Sequence, residues 1–212
     1  MKCVCLLSGG IDSSTMMYHL RDNELYPIAI NYAQRHIKEL GAAMKVSQAL
    51  GLKLECVNLE APVIFKGSAL TDNIEVPEGH YQAENMRATV VPNRNMILLA
   101  LATAYAVSIK ANFVAYAAHA GDHYIYPDCR PLFADAMREA IKQATGIHLL
   151  TPFINMTKAQ IVDLGISLQV PYNLTWSCYK GRNKACGKCG TCVERLEAFA
   201  LNHIKDPIEY EP

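Results

Sequence analysis

The chain has 212 residues, 51% apolar and 19% charged, which is enough for a sizeable core and rules out a disordered chain. Twenty Lys and Arg balance twenty Asp and Glu, so the formal net charge is zero. A protein built to grip nucleic-acid phosphates carries a basic surplus, so nucleic acid is not an expected partner. No apolar run reaches the roughly 18 residues that span a bilayer, and the opening Met1–Gly10 lacks signal-peptide design. No membrane role is expected, and the location is expected to be cytoplasmic.

Lys2–Leu7 predicts a strand, Ser13–Arg21 a helix and Leu25–Asn31 a second strand. His36–Leu50 puts Ile37, Leu40, Met44 and Ser47 on one helical face, with Gly51 as the stop. Leu52–Leu59 predicts a third strand. Glu60–Pro92 is too long and polar for a plain connection and is expected to be a lid or substrate loop with some structure of its own. Met96–Ile109 is the most apolar helix, but Thr103, Tyr105 and Ser108 interrupt it, so it reads as a buried helix. Asn112–Ala117 is a fourth strand. Pro131–Thr145 is a helix ending at Gly146, and His148–Thr151 follows as a strand. Thr157-x-x-Gln160 is a capping box that opens a short helix ending at Gly165. Repeats are absent. Strands apolar on both faces that alternate with helices imply an α/β fold: a parallel, Rossmann-like sheet with helices on both faces.

Leu7-Ser8-Gly9-Gly10-Ile11-Asp12-Ser13-Ser14 lies where the first strand turns into the first helix. The glycines allow a tight turn with consecutive N–H groups exposed, and Ser13 and Ser14 add hydroxyls at a helix N-terminus that favours an anion. It is neither a Walker A loop nor G-x-G-x-x-G. Taken alone it is equally an ordinary turn in which Ser and Asp cap the helix.

Eight cysteines without a secretory signal do not suggest disulfides. Cys3 and Cys5 on the first strand read as small core residues, and Cys129 as packing. Cys178, Cys186, Cys189 and Cys192 crowd into fifteen residues, with Gly187 and Gly190 loosening the backbone, and suit a tetrahedral structural zinc. An iron–sulfur cluster is the competing reading. Lys180, Arg182, Lys184 and Lys188 read as a solvated face offsetting thiolate charge, with a phosphate or RNA contact as the alternative. His19, His80 and His203 read as surface or packing residues.

The string Ser8-Gly9-Gly10-Ile11-Asp12-Ser13 resembles the PP-loop of the N-type ATP pyrophosphatases, which bind ATP and activate an oxygen by adenylation. Further motifs narrow the resemblance: Asn31-Tyr32-Ala33-Gln34-Arg35-His36, Val91-Pro92-Asn93-Arg94-Asn95, Tyr126-Pro127-Asp128-Cys129-Arg130-Pro131, Thr151-Pro152, Thr157-Lys158 and Thr175-Trp176-Ser177-Cys178-Tyr179. Together, over residues 2 to 200, they look like the 7-cyano-7-deazaguanine synthase (QueC) family. Two positions depart from the family pattern: Ala33 and Asn93 stand where it usually has Gly.

The resemblance implies an adenine nucleotide alpha hydrolase type of fold, with residues 1–170 as the ATP-binding domain and 171–212 as a four-cysteine zinc segment with the C-terminal helix packed on it. It implies a ligase that makes a nitrile from 7-carboxy-7-deazaguanine and ammonia through two adenylations, releasing AMP and pyrophosphate, with ATP, Mg2+ and Zn2+ as cofactors and a homodimer as the assembly. Leu7, Ser8, Gly9, Gly10, Ile11, Asp12, Ser13, Ser14, Thr15, Met16 and Met17 would form the ATP site, with Asp12 helping to hold magnesium. Asp12, Ser13, Lys158 and Arg94 are the expected catalytic residues, Lys158 neutralising the α-phosphate and Arg94 meeting substrate or phosphate. A guanine-like edge presents two donors, which a carboxylate accepts bidentately, so Asp122 and Asp128 are expected to read it. Arg35 and Arg130 are expected to hold the substrate carboxylate. The competing functions are a PP-loop tRNA thiolase, which needs a cysteine in the pocket and a basic surface, and a non-catalytic zinc-ribbon binding module.

Overall fold

The computed structural model describes residues 1–34, 38–59, 65–81, 84–180 and 183–212. Five parallel strands, β1 (Lys2–Leu6), β2 (Glu24–Asn31), β3 (Glu55–Asn58), β4 (Phe113–Ala115) and β5 (His148–Leu150), form one sheet in the order β3-β2-β1-β4-β5. Among the described residues six α-helices accompany them: α1 (Ile11–His19), α2 (Lys38–Ala49), α3 (Arg94–Ser108), α4 (Pro131–Thr145), α5 (Lys158–Ser167) and α6 (Gly190–Leu201).

Period-2 alternation on β1 divides the core. Cys3 and Cys5 face one side, with Met16 and Met17 of α1, Val46 of α2, Ile161 of α5 and Phe199 of α6. Val4 faces the other, with Leu99, Ala102 and Ala106 of α3 and Ile141 of α4. Both faces are covered, which is why the central strands are apolar throughout.

Several ends differ from expectation for local reasons. α1 starts at Ile11 because Gly10 is its N-cap. β3 starts late because the Leu52 N–H bonds back to the Ser47 carbonyl at the end of α2. α5 runs past Gly165, which sits inside the helix because the Tyr172 ring occupies the space of its missing Cβ. The Thr157–Gln160 capping box forms as expected. His36 and Ile37, the expected start of α2, lie outside the described residues.

Residues 84–108, taken as one run, have the length and apolar composition of a membrane span. The backbone, however, passes through a left-handed Asn93 before the 15 residues of α3 begin, and Leu99, Ala102 and Ala106 are buried against the sheet. Part of the 60–92 segment has structure of its own: Glu84–Thr89 is a 3-10 helix, and Val76 packs on the cysteine cluster. Its bridge Glu78↔Cys189 and the Lys180–Glu78 ion pair fasten it to the C-terminal segment.

Candidate active site

The chain steps outward from β1 to β3 and then returns past β1 to β4, so strand order reverses between β1 and β4. Open α/β sheets bind ligands at such a point, beyond the carboxyl ends of the strands. A cavity of about 240 Å³ lies there, lined by Ser8, Gly10, Asp12 and Ser13 from the β1 side and by Tyr116, Ala118 and Asp122 from the β4 side.

The loop after β1 is shaped by Gly9, whose φ is 86° and whose missing Cβ would strike the α2 backbone at Glu39 and Ala43. No other residue fits that conformation and that contact. Ser8 and Ser13 hydroxyls meet at 3.0 Å, and the Gly10 N–H donates to Ser8 Oγ at 3.3 Å. Gly10 caps α1 without a side-chain acceptor, and the first intrahelical bond of this turn is Ser14 N–H to the Gly10 carbonyl. The N–H groups of Ile11, Asp12 and Ser13, residues that line the cavity, therefore have no carbonyl partner within the helix, and the positive end of the helix dipole lies there.

Asp12 is the centre of a charge network. Lys158, at the first turn of α5, donates to Asp12 Oδ2 at 2.6 Å and lies 3.3 Å from Glu194 Oε2 on α6. His119, 1% exposed, places Nε2 3.4 Å from Asp122 Oδ2 and 3.9 Å from Asp12 Oδ2. Burial pushes the Asp12 carboxyl up, but Lys158, through its charge and its hydrogen bond, opposes that push, and the pKa is left below the usual range. For Lys158, burial works against the charge and the Asp12, Glu194 and Asp122 carboxylates prevail, so its pKa is raised. Burial also lifts Glu194, which Lys158 only partly offsets. The second oxygen of Asp12, Oδ1, is buried and has no hydrogen-bond partner among the described residues.

The far wall is aromatic. Tyr81 donates to Asp122 Oδ1 at 2.8 Å, and Tyr116, Tyr126, Tyr179 and Tyr32 line the same space. Arg94, at the start of α3, donates to Tyr32 Oη at 3.3 Å and has no carboxylate within ion-pair distance among the described residues. Glu39 lies near it, and burial lifts its carboxyl to about 7 against the pull of Arg94. The Tyr116 hydroxyl is buried and has no partner among the described residues.

The structure thus gathers Leu7, Ser8, Gly10, Ile11, Asp12, Ser13, Lys158, Arg94 and Asp122 around one cavity. Other expected site residues stand elsewhere. Met16 and Met17 are fully buried in the core, and the Thr15 hydroxyl is spent on the Ile11 carbonyl and Tyr172, because helical periodicity turns this part of α1 towards the sheet. Ser14 is buried behind the loop. Asp128 lies outside the cavity: its Oδ2 accepts the Asn95 N–H at 3.0 Å and caps α3. Arg130 is exposed and donates to the His123 carbonyl at 2.8 Å, away from the cavity. Arg35 and Arg182 lie outside the described residues. Lys184 pairs with Glu209 at 3.1 Å, so it and Lys180 carry partners within the chain. Cys129 is buried beside the cavity, where burial pushes its thiol up and Asn95 donates to its sulfur at 3.2 Å. His19, His80 and His203 are exposed.

His119, Glu194, Tyr81, Tyr116 and Glu39 join the site without having stood out in the sequence. His119-x-x-Asp122 after the fourth strand is the one available signal, a short polar pair at a strand end. Glu194 carries none.

Cys178, Cys186, Cys189 and Cys192 are all buried, and their sulfurs lie within 4.8 Å of one another. A tetrahedral ion with bonds of about 2.3 Å sets its sulfurs a little under 4 Å apart, and Cys186 and Cys192 stand 3.9 Å apart. The Lys180 and Cys186 N–H groups donate to Cys178 Sγ, and those of Lys188 and Cys189 to Cys186 Sγ. Such donors stabilise thiolates rather than thiols, so the residues present fit a metal ion. The C-terminal tail buttresses the segment through Ala185 and Glu209–Glu211 and through the buried Arg195–Asp206 pair at 2.6 Å.

Comparison with known proteins agrees with this architecture. The family described as "Queuosine biosynthesis protein QueC" matches residues 2–203. The chain is 50% identical over 215 residues to the 7-cyano-7-deazaguanine synthase of Hahella chejuensis, covering 99% of this chain and 93% of that protein. It is 48% identical over 216 residues to that of Caldicellulosiruptor saccharolyticus, covering 100% and 96%. Among solved structures it is similar to the NMN synthetase from Francisella tularensis (TM-score 0.54, 16% identity, 96% of this chain and 77% of that chain). It is also similar to the NH3-dependent NAD synthetase from Campylobacter jejuni (TM-score 0.53, 17% identity, 95% and 75%). At such identities the structural likeness shows the fold alone.

Proposed function

The chain belongs to the QueC family, and on that premise we propose that it converts 7-carboxy-7-deazaguanine and ammonia to 7-cyano-7-deazaguanine with two ATP. A carboxylate oxygen is a poor leaving group. Attack on the α-phosphorus of ATP turns it into AMP and releases pyrophosphate, and ammonia then displaces AMP to give the amide. A second adenylation, now on the amide oxygen, lets that oxygen leave as AMP while both nitrogen protons are lost, forming the nitrile.

The work of the protein is positioning and charge stabilisation. The N–H groups of Ile11, Asp12 and Ser13 and the hydroxyls of Ser8 and Ser13 would hold the pyrophosphate, and Lys158 would offset charge at the α-phosphate. Asp12 Oδ1 is the acceptor that would take a magnesium ion, which neutralises phosphate charge when bound. Asp122, oriented by Tyr81 and His119, would accept the N1–H and 2-amino group of the base, with the tyrosines packing its faces. Arg94 would meet the substrate carboxylate. Zinc on the four cysteines would be structural, since four thiolates leave no open position. This reading carries with it the expected homodimer and cytoplasmic location.

The observation that supports it best is the pairing, in one cavity, of uncapped helix N–H groups beside Lys158 with a half-buried carboxylate on a tyrosine wall. A thiolase would need a reactive thiolate there, whereas burial holds the Cys129 thiol protonated. The test is mass spectrometry of the protein incubated with magnesium, ATP, ammonium and 7-carboxy-7-deazaguanine. The nitrile should appear with two AMP and two pyrophosphate per turnover, and Asp12→Ala should abolish both while circular dichroism is unchanged. ADP and phosphate as the only nucleotide products would refute adenylation.

A further inference from the structure

His119 is a deeply buried polar group at the switch point, and its two ring nitrogens face different partners. Nδ1 accepts the Gly121 N–H at 3.0 Å. A ring nitrogen that accepts a hydrogen bond carries no proton, so the neutral imidazole bears its proton on Nε2. That nitrogen lies beside two carboxylates on different elements, Asp122 Oδ2 at 3.4 Å and Asp12 Oδ2 at 3.9 Å. The backbone is fitted to this arrangement: a Cβ at Gly121 would stand 2.7 Å from both the His119 ring and Glu194 Oε1. With its one lone pair engaged, the ring is a donor and not a proton acceptor.

We propose that His119 is a positioning residue, a neutral Nε2–H donor that holds the base-reading Asp122 and the phosphate-loop Asp12 in one frame. Asp122 then has both oxygens oriented, Oδ1 by Tyr81 and Oδ2 by His119, with further lone pairs left for the substrate edge. Asp12 sits at the start of α1, so the same ring fixes the distance between the base and the adenylating phosphate. An error of about 1 Å in such a distance is costly in rate. The assignment of Asp122 to the base rests on the proposed reaction, whereas the tautomer does not.

Two measurements on the full zinc-loaded chain test it. Nitrogen NMR of the imidazoles, with His119→Gln as the assignment control, should show His119 as the neutral tautomer protonated on Nε2. An imidazolium, or a proton on Nδ1, overturns the proposal whatever the substrate proves to be. Steady-state kinetics should then show His119→Phe raising KM for 7-carboxy-7-deazaguanine about three- to tenfold, the range of one lost hydrogen bond. His119→Gln, which keeps a donor near Nε2, should stay within about threefold of wild type, with an unchanged pH profile of kcat/KM. Loss of a limb of that profile in His119→Gln would make His119 a proton-transfer group and overturn the positioning role, as would wild-type KM in His119→Phe. If no nitrile forms but the Nε2–H tautomer is observed, the reaction assignment fails and the positioning geometry stands.

Discussion

Asp122 and Asp128 lie six residues apart, and the sequence offers both as readers of the base edge; the structure separates them into an experiment. Asp122 faces the cavity with Tyr81 on one oxygen and His119 beside the other. Asp122→Asn keeps the shape but turns an N–H donor towards the His119 Nε2–H, and it satisfies only one of the two donors on a guanine-like edge. A bidentate pair to a base is worth about 1–3 kcal/mol of discrimination, or roughly ten- to hundredfold. KM for 7-carboxy-7-deazaguanine is expected to rise by that factor while KM for ATP stays within about twofold. Asp128 Oδ2 instead accepts the Asn95 N–H at 3.0 Å in the first turn of α3. Asp128→Ala removes a cap worth about 1 kcal/mol, which in a chain of this size lowers Tm by roughly 2–4 °C. Its KM for the acid should hardly move. The assays are steady-state kinetics with mass-spectrometric detection of nitrile and differential scanning calorimetry. If Asp128→Ala raises KM tenfold at unchanged Tm, or Asp122→Asn lowers Tm and leaves KM alone, the two roles are exchanged and the reasoning fails.

Ala33 holds φ at 62°, a left-handed conformation that costs a residue with a Cβ about 1–2 kcal/mol. Ala33→Gly should therefore raise stability in urea by about 0.5–1 kcal/mol after the extra freedom of unfolded glycine is subtracted; an unchanged midpoint would show the turn to be unstrained. Cys186→Ser should abolish bound zinc by elemental analysis and cost several kcal/mol, and because Glu78 bridges to Cys189, protease sensitivity should rise first around residues 76–81. Iron in the purified protein, or a stable metal-free one, would overturn the zinc reading. Burial lifts Glu39 from 4.5 to about 7, so the folded chain holds that proton more tightly, and the resulting stability is complete below about pH 4.5 and lost as pH rises to about 7. Glu39→Gln should match wild type in stability near about pH 4 and exceed it above about pH 7, by at most about 3 kcal/mol because the side chain is partly solvated; equal Tm of the two proteins at both pH values would refute the burial argument.

Local rules were enough to read much of this protein from the sequence. The strand and helix succession, the capping box at Thr157, the glycine turn before α1 and the four clustered thiols are each written in neighbouring residues, because turns, caps and close-spaced ligands act over a few positions. Asn93 in a left-handed conformation is also legible, since Asn tolerates it. What the sequence left open depends on distance in space. Lys158 meets Asp12 across 146 residues, and Glu194 reaches Lys158 only because α6 packs on α5. Asp128 and Asp122 look alike in the chain, and only the docking of α3 makes one a helix cap and leaves the other in the cavity. The sequence alone thus determined the fold type, the glycine turn before α1 and the gathering of the four cysteines. Tertiary packing decided which charges share a buried space, because the energy of a charge depends on what surrounds it and not on its neighbours in the chain.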